Sequence, residues 1–502
     1  VISHAGGCAL IMTLLCALPS FAAGANDAIT PQQGSTQPPP AGSDQKPSTP
    51  DARKDENDDL AKLPGATPAQ ATNERLTPTG DLGRHRVYLE NAVVVGAPRT
   101  ELTVPSDAPA NSWQERLFID VRKEWSLGHR LNVTLGDRLN IRADSDLVFP
   151  SHQNVINDFR EGFLSWEPVD RTYVDAGRIN LKSGAALGFN PTDVFKTRAV
   201  VEPLSADPSE LREDRLGTLM LRAQRIGSAG AITVAFAPAL YHQSPVYTNS
   251  NLPSLDPSFD RTNAHTRLLV KGSMNVAVDF SPELVMYHEN DRTKLGVNIT
   301  RALGQNIVAY AEWAGGRQPS MIDDALQYGR ETGALPAGAP PVLRDDSRRT
   351  FQSDLAVGGS FAARAKVTLN VEYHFHQAGF VRQDWDNWFN TGQGTVGSSP
   401  VARELWFIRG YALDQQLPLT RHSLFARADW VDAFTRHLEL TGFLNTDLYD
   451  GSGLVQIAAD YFLSDTWTIG VQANANVGSA RSDFGSLPGT GSMLLKAARY
   501  FR

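Results

Sequence analysis

Cysteine is nearly missing from this chain: of 502 residues only Cys8 and Cys16 carry a thiol, both close to the start. Disulfides, thiolate metal centres and cysteine nucleophiles are therefore excluded from the rest of the sequence. Long apolar runs are equally scarce. The one example, Cys8 to Ala25, is shorter than a bilayer-spanning helix requires. There is no large excess of one charge: the net value is −8, which argues against nucleic acid as a partner. No nucleophile elbow of the G-x-S-x-G type occurs, and no Gly-rich phosphate loop or dinucleotide fingerprint. No catalytic residue and no cofactor are expected from motifs.

The apolar run at the start has a purpose that fits its length. It holds Leu10-Ile11-Met12 and Leu14-Leu15, followed by the small-x-small sites Ser20-Phe21-Ala22 and Ala23-Gly24-Ala25. This is the layout of a cleavable signal peptide over residues 1–25, although Val1 to Gly7 lacks Lys and Arg. An uncleaved anchor is the alternative. A lipoprotein reading at Cys16 is disfavoured because Leu15, not a small residue, precedes it. Residues 26–80 contain no aromatic residue and are rich in Pro, Gln, Asp, Ser and Thr. Such a segment cannot bury enough apolar surface to offset its ordering entropy, and reads as a disordered periplasmic arm.

From residue 81 to 502 the texture is different. Between His129 and Arg142, Leu131, Val133, Leu135, Leu139 and Ile141 fall on one side, and Arg130, Asn132, Thr134, Arg138, Asn140 and Arg142 on the other. Period two means a strand. The pattern returns at Lys294–Thr300, Lys366–His376, Arg436–Asn445 and Trp467–Val477. Runs of about ten residues suit a tilted membrane crossing, where a soluble sandwich more often uses about five or six. The mean hydropathy of −0.28 does not oppose this, because lipid-facing and lumen-facing residues average out.

The connections alternate in length. Short turns fall near Ser126-Leu127-Gly128, Glu167–Asp170, Gly227–Gly230, Ser281-Pro282-Glu283, Leu303-Gly304-Gln305, Ala363-Arg364 and Ser464-Asp465-Thr466. Long irregular stretches cover Asp144–Asn157, Lys182–Arg215, Leu240–Ala264, Gly316–Arg349, Gln377–Arg421 and Gly478–Gly489. Short turns on one rim and long loops on the other predict an all-β fold, a transmembrane antiparallel β-barrel. A strand over Arg403–Leu413 would leave the chain ending on the wrong rim. Treating that stretch as loop gives about eighteen strands, with about sixteen to twenty compatible. Trp113, Trp125, Trp166, Tyr310, Trp313, Trp430 and Trp467 sit near strand ends, as interface girdles do.

The final segment, Met493 to Arg502, ends on Tyr500-Phe501 with Arg502 trailing. It resembles the C-terminal strand of outer-membrane barrels, which the barrel assembly machinery reads. With the turns and loops, residues Arg84 to Phe501 resemble the porin and exporter class of Gram-negative outer-membrane barrels. In scale they are similar to alginate-exporter barrels, and Asn190-Pro191-Thr192-Asp193-Val194-Phe195 resembles a short motif of other large barrel families. The resemblance implies a channel, a porin or an exporter, in the outer membrane, with the N-terminal arm in the periplasm. It implies outer-membrane lipid and a hydrophilic or anionic solute or polysaccharide as partners. A homo-oligomer is one compatible assembly. A plugged barrel acting through its long loops, and an outer-membrane hydrolase with a Ser–His pair on neighbouring strands, are the rival readings.

The charged positions expected to line the lumen are Arg122, Arg130, Arg138, Arg142, Arg222, Lys294, Glu372, Arg427, Asp429 and Glu439, with Asp120, Glu124 and Asp460 beside them. Both signs occur, so no single-sign selectivity ring is present. The arginines of the early strands suit carboxylates. Lys182–Arg215 is the candidate constriction loop, with Asp193, Lys196, Arg198 and Glu202. The aromatics of Gln377–Arg421 (Trp385, Trp388, Phe389, Trp406, Phe407) are too apolar for a solvated loop; they plug the lumen, stack on sugars or pack on the inner wall. His374 and His376 share a strand face with Glu372 but need further ligands to hold a metal, and no metal site is expected.

Overall fold

The computed structural model describes residues 85–106, 113–144, 154–200, 205–244, 257–277, 280–338, 340–343, 348–363 and 365–501. The predicted signal peptide and arm, and Glu202 of the long loop, lie outside the described residues.

Eighteen strands follow one another. They are β1 (His85–Pro98), β2 (Trp113–Ser126), β3 (Leu131–Asp144), β4 (Val155–Val169), β5 (Thr172–Ile179), β6 (Thr218–Gly227), β7 (Gly230–Ala237), β8 (Arg267–Met274) and β9 (Glu283–Glu289). The second half comprises β10 (Arg292–Ala302), β11 (Ile307–Gln318), β12 (Thr350–Ala362), β13 (Val367–His376), β14 (His422–Val431), β15 (Leu438–Asp447), β16 (Gly453–Ser464), β17 (Trp467–Val477) and β18 (Gly489–Phe501). Each strand pairs antiparallel with its sequence neighbours. The circle closes where β18 pairs with β1, from Val87 opposite Phe501 to Pro98 opposite Gly489. Closure leaves no free edge, the condition for a sheet to span a bilayer. The first and last residues of the barrel meet at the short-turn rim, as the parity argument requires.

The alternation read from sequence is the alternation of the wall. On β17, Ile469, Val471 and Val477 face outward and are exposed, while Thr468 and Gln472 are buried inside. Leu221, Leu295, Val357, Val371, Ile457 and Leu495 continue the outer apolar band on other strands. Not every aromatic belongs to it. Tyr310 is buried on the lumen side and donates to Glu372 at 2.6 Å, which corrects the girdle assignment for that residue.

The Arg403–Leu413 stretch is neither strand nor open loop. It lies in a helix, because Ser399 caps the backbone of Ala402 and Pro400 supplies the first helical position. Among the described residues the long loops hold a single helical turn at Phe259–Thr262 and four longer helices: α1 (Pro208–Glu213), α2 (Met321–Glu331), α3 (Arg382–Gly392) and α4 (Pro400–Asp414). Gly316–Arg349 is also less irregular than expected, since β11 continues to Gln318 before Ser320 caps α2. The last three helices share one apolar core in which Leu326, Trp388, Leu405 and Ile408 are fully buried. The aromatics of Gln377–Arg421 thus pack on one another. Trp388 donates to the Leu405 carbonyl at 3.0 Å, and Arg409 lies against Trp385, Trp388 and Trp406 while pairing with Asp483 at 2.7 Å. This role is none of the three expected: the residues form a helical core of the long loops.

One connection on the long-loop rim is minimal. Between β9 and β10 only Asn290 and Asp291 intervene, with Asn290 in the left-handed region at φ 51°.

Candidate functional site

The described parts of the connection between β5 and β6, residues 180–200 and 205–217, turn inward and cross the lumen. Its first half lies against β10–β14. The Ala186 amide donates to Glu312 of β11 at 2.6 Å, and the Leu187 and Gly188 amides donate to the two oxygens of Glu372 of β13 at 2.6 and 2.9 Å. Thr192 donates to Asn298 of β10 at 2.7 Å. The glycines make this approach feasible. Gly184, at φ 82°, would place a Cβ on the Glu312 carboxylate, and a Cβ on Gly188 would meet His374 at 2.7 Å. Two wall carboxylates therefore act as acceptors for a glycine-bearing backbone. That is a strong use of buried charge, since each amide hydrogen bond to an ionised group contributes about 1.5–3 kcal/mol.

The second half reaches the opposite walls. Arg427 of β14 pairs with Asp207 at the start of α1 and with Asp429 at 2.9 Å. Gln456 of β16 donates to Ser205 at 3.2 Å. Arg138 of β3 binds Asp214 at 2.7 Å, and Lys182 binds Glu213 at 2.5 Å. The loop is pinned on several sides rather than hanging from one.

The wall of β1–β6 carries most of the predicted arginines, and their charges are matched. Asp120 is fully buried and takes Arg86 at 2.9 Å, Arg138 at 3.0 Å and Arg160. Arg122 pairs with Glu161 at 3.2 Å and Arg222 with Asp175 at 2.8 Å. Arg142 is buried on β3. Arg130 is not a lumen residue: it sits at the short-turn rim, half exposed, bound to Asp170 at 2.9 Å and to the Pro168 carbonyl. Arg160 was not anticipated. A register shift between Gly136 and Asp137 on β3 places two β4 residues where one is expected, so Arg160 and its neighbour Glu161 both reach lumen partners. Period-two counting assigns consecutive residues to opposite faces, and a bulge breaks that rule without a sequence mark.

On the far side, Glu439 faces Asp460 across β15 and β16, and Asp429 accepts from Thr441 at 3.0 Å. The charges here are mixed: Asp460 pairs with Lys496 at 3.0 Å and Asp429 with Arg427 at 2.9 Å.

Above the crossing loop a cavity of about 260 Å³ opens toward the long-loop rim, between β8–β13, the loop, α2 and α4. Its upper wall is made of ion pairs: Arg267 with Glu289 at 3.0 Å, Arg292 with both oxygens of Asp324 at 2.7 and 3.0 Å, and Arg349 with Asp291. Its floor holds Phe189, Asp193, Lys196, Lys294, Asp354 and His376. Asp193 is buried; although burial opposes it, the Arg215 and Arg212 guanidinium groups hold its carboxyl below the usual range. Burial pushes the Lys196 ammonium down to about 8, against the pull of Asp193. Arg198 lies at the edge and acts as a tie: it binds Asp414 of α4 at 3.1 Å and the carbonyls of Asp260 and Ser244 at 3.0 and 3.2 Å.

A Ser–His–carboxylate chain does exist in the wall, through Ser423, His374 and Glu372. The Ser423 contact to His374 is long, at 3.4 Å, and Glu372 is occupied by two loop amides and Tyr310. All three residues are buried, beneath Gly188 and Phe189. Among the described residues no group of three or more His, Cys, Asp or Glu side chains is placed to hold a metal ion.

No family model matches the chain, and no curated protein sequence matches it. Among solved structures the chain is similar to outer-membrane porins of the Occ and Opd type. OccK8 (OprE) of Pseudomonas aeruginosa is 10% identical, with 83% of this chain and 98% of that chain covered at a TM-score of 0.46. OccAB1 of Acinetobacter baumannii is 9% identical, with 83% and 96% covered at a TM-score of 0.48. OpdK of Pseudomonas aeruginosa, solved with vanillate, is 8% identical, with 83% and 98% covered at a TM-score of 0.46. Likenesses this distant transfer no function.

Proposed function

We propose that the chain is an outer-membrane channel for small hydrophilic solutes. The observation that carries the reading is the combination of a closed barrel, apolar outside and charged within, with a crossing loop that leaves a polar cavity of about 260 Å³ open at the long-loop rim. The pinned loop and the helical core above it favour a small solute over a polysaccharide, since a polymer needs an unobstructed bore. Lys294 on the cavity floor makes no ion pair among the described residues, and its charge favours solutes with an anionic group. In this reading outer-membrane lipid covers the apolar band, the short-turn rim and both ends of the barrel face the periplasm, and the barrel assembly machinery inserts the chain.

The density of bonds holding the crossing loop supports a second reading, a plugged barrel that works through its outer loops. Single-channel recording in planar bilayers separates the two. Discrete conductance steps from the intact chain support the channel. A silent wild-type barrel that conducts only after residues 183–213 are removed supports the plug.

A further inference from the structure

The lumen wall is not charged all the way round. In the long-loop half of β16–β18, β1 and β2, carboxamides and hydroxyls predominate. Gln472 donates to Gln456 at 3.1 Å, and beyond them stand Asn474 and Asn476 of β17, Ser492 of β18 and Gln114 of β2. Period two sets their direction. Asn474 and Asn476 share a strand face with buried Gln472, and Gln114 shares one with buried Arg116 and Asp120. A second cavity, of about 300 Å³, opens among them, across the ring of strands from β8–β13. Among the described residues no charged side chain lines it. Trp113 and Pro98 supply apolar surface, and Gln114, Asn474, Asn476 and Ser492 supply the polar groups. The frame around it is tied. The Arg99 amide donates to the Pro488 carbonyl at 2.6 Å, the Arg99 side chain to the Leu487 carbonyl at 3.2 Å, and the Thr490 hydroxyl to the Ala97 carbonyl at 2.9 Å. The carboxamides are only partly used. Asn474 accepts from Ser492 at 2.7 Å, and its Nδ2 donates to no described residue. Asn476 donates to the Gly489 carbonyl at 2.9 Å and keeps its oxygen. Gln114 makes no side-chain hydrogen bond among the described residues.

We propose that this cavity binds an uncharged polyhydroxylated solute, a small sugar or polyol. The proposal rests on the channel reading only for placing the cavity on a permeation path. A hydroxyl both donates and accepts, and a carboxamide does the same through two neighbouring atoms, so the two groups satisfy each other fully. An ionic solute entering a lining without charge loses hydration that nothing replaces, whereas a neutral one gives up far less. Trp113 and Pro98 offer the apolar face of a ring a surface to cover. Small-ligand sites combine such walls with a few placed polar groups and start at about 300 Å³, so the size suits one or two rings rather than a polymer. Glycine keeps the room open: a Cβ on Gly489, which lines the cavity, meets nothing within 4 Å. A barrel with one cavity edged by ion pairs and another edged by amides sorts solutes by charge.

The test is isothermal titration calorimetry of the full chain, purified in a detergent without a sugar headgroup, with glucose and with glucuronate. Glucuronate has the same ring with one carboxylate added. Wild type binds one glucose per chain at the amide cavity. Gln114→Leu and Asn474→Leu each weaken it about tenfold, the scale of one lost hydrogen bond. Gly489→Leu fills the space and abolishes binding, while Gly489→Ala, too short to fill it, leaves binding in place. Glucuronate binds at least about tenfold more weakly at the position that Gly489→Leu blocks. Heat-modified gel mobility reports whether each variant keeps its barrel, and the three Leu variants lie on three different strands, so one that fails to fold leaves the others to decide. No glucose bound by wild type, or equal binding by wild type and the folded Leu variants, overturns the site. Glucuronate bound as tightly as glucose, and blocked equally by Gly489→Leu, overturns its preference for neutral solutes. Glucose binding as described in a barrel that carries no current overturns the channel reading and leaves the site standing.

Discussion

Two walls of the same barrel use charge in opposite ways. On β1–β6, arginines face carboxylates of the wall or the loop: three guanidinium groups converge on Asp120, and two of them also approach Asp214. On β10–β13, carboxylates receive backbone amides, and one lysine has no ion pair among the described residues. Charge on the first wall maintains shape. Charge on the second holds the crossing loop. A residue's sign says little about its role until its partner is known.

The comparison breaks most visibly if the crossing loop is removed. Deleting residues 183–213 is expected to raise single-channel conductance several-fold, while removing the helices α3 and α4 changes it less. Next in size is Asp120→Asn. It leaves the buried Arg138 and Arg160, and the more exposed Arg86, without their shared carboxylate, and loss of one partner of a buried ion network costs about 3–5 kcal/mol. A lower unfolding temperature in heat-modified gel assays is the readout; unchanged stability would refute the shape-holding role of the first wall. Glu372→Leu should cost less stability, about 1–3 kcal/mol for the amides left unsatisfied, but it frees the loop. Noisy, larger currents are the expected signature. A pH series tests the floor more finely. Because burial sets Lys196 at about 8, its charge is present below that value and lost above it. Anion preference in a salt gradient should therefore fall as pH rises through about 8, and Lys196→Arg should remove that step. The smallest effect belongs to Arg130→Gln at the rim, where selectivity and stability should both remain within error.

Much of the wall was legible because a membrane barrel repeats a single rule. Leu131, Val133 and Ile141 alternate with buried Asn132, Thr134 and Arg142, and this period-two order needs no tertiary knowledge. Loop lengths then gave the rims, and parity removed the false strand at Arg403–Leu413. The interior was less legible. Which arginine is neutralised depends on strands far apart in sequence, such as Arg427 with Asp207, and no local pattern records that distance. The role of Glu372 lies in the backbone it accepts from, and backbone amides are the same in every sequence. Arg160 was hidden by a bulge. A signal was available in the loop: Gly184 and Gly188 flank a short apolar run, a sign that the backbone approaches something closely. His376 was considered with His374 as part of a metal site; the two occupy separate hydrogen-bond chains, to Asp354 and to Glu372.

The two-residue connection at Asn290 and Asp291 has a practical use. It is the lowest point of the outer rim, and both residues line the cavity mouth. The sequence after residue 16 has no cysteine. A thiol introduced as Asn290→Cys would thus be unique in the barrel, and a label attached there would project over the opening from its shortest side. Small and large maleimides at that position would act as a molecular ruler, reporting through residual current how wide the entrance is and from which side of the membrane it is reached.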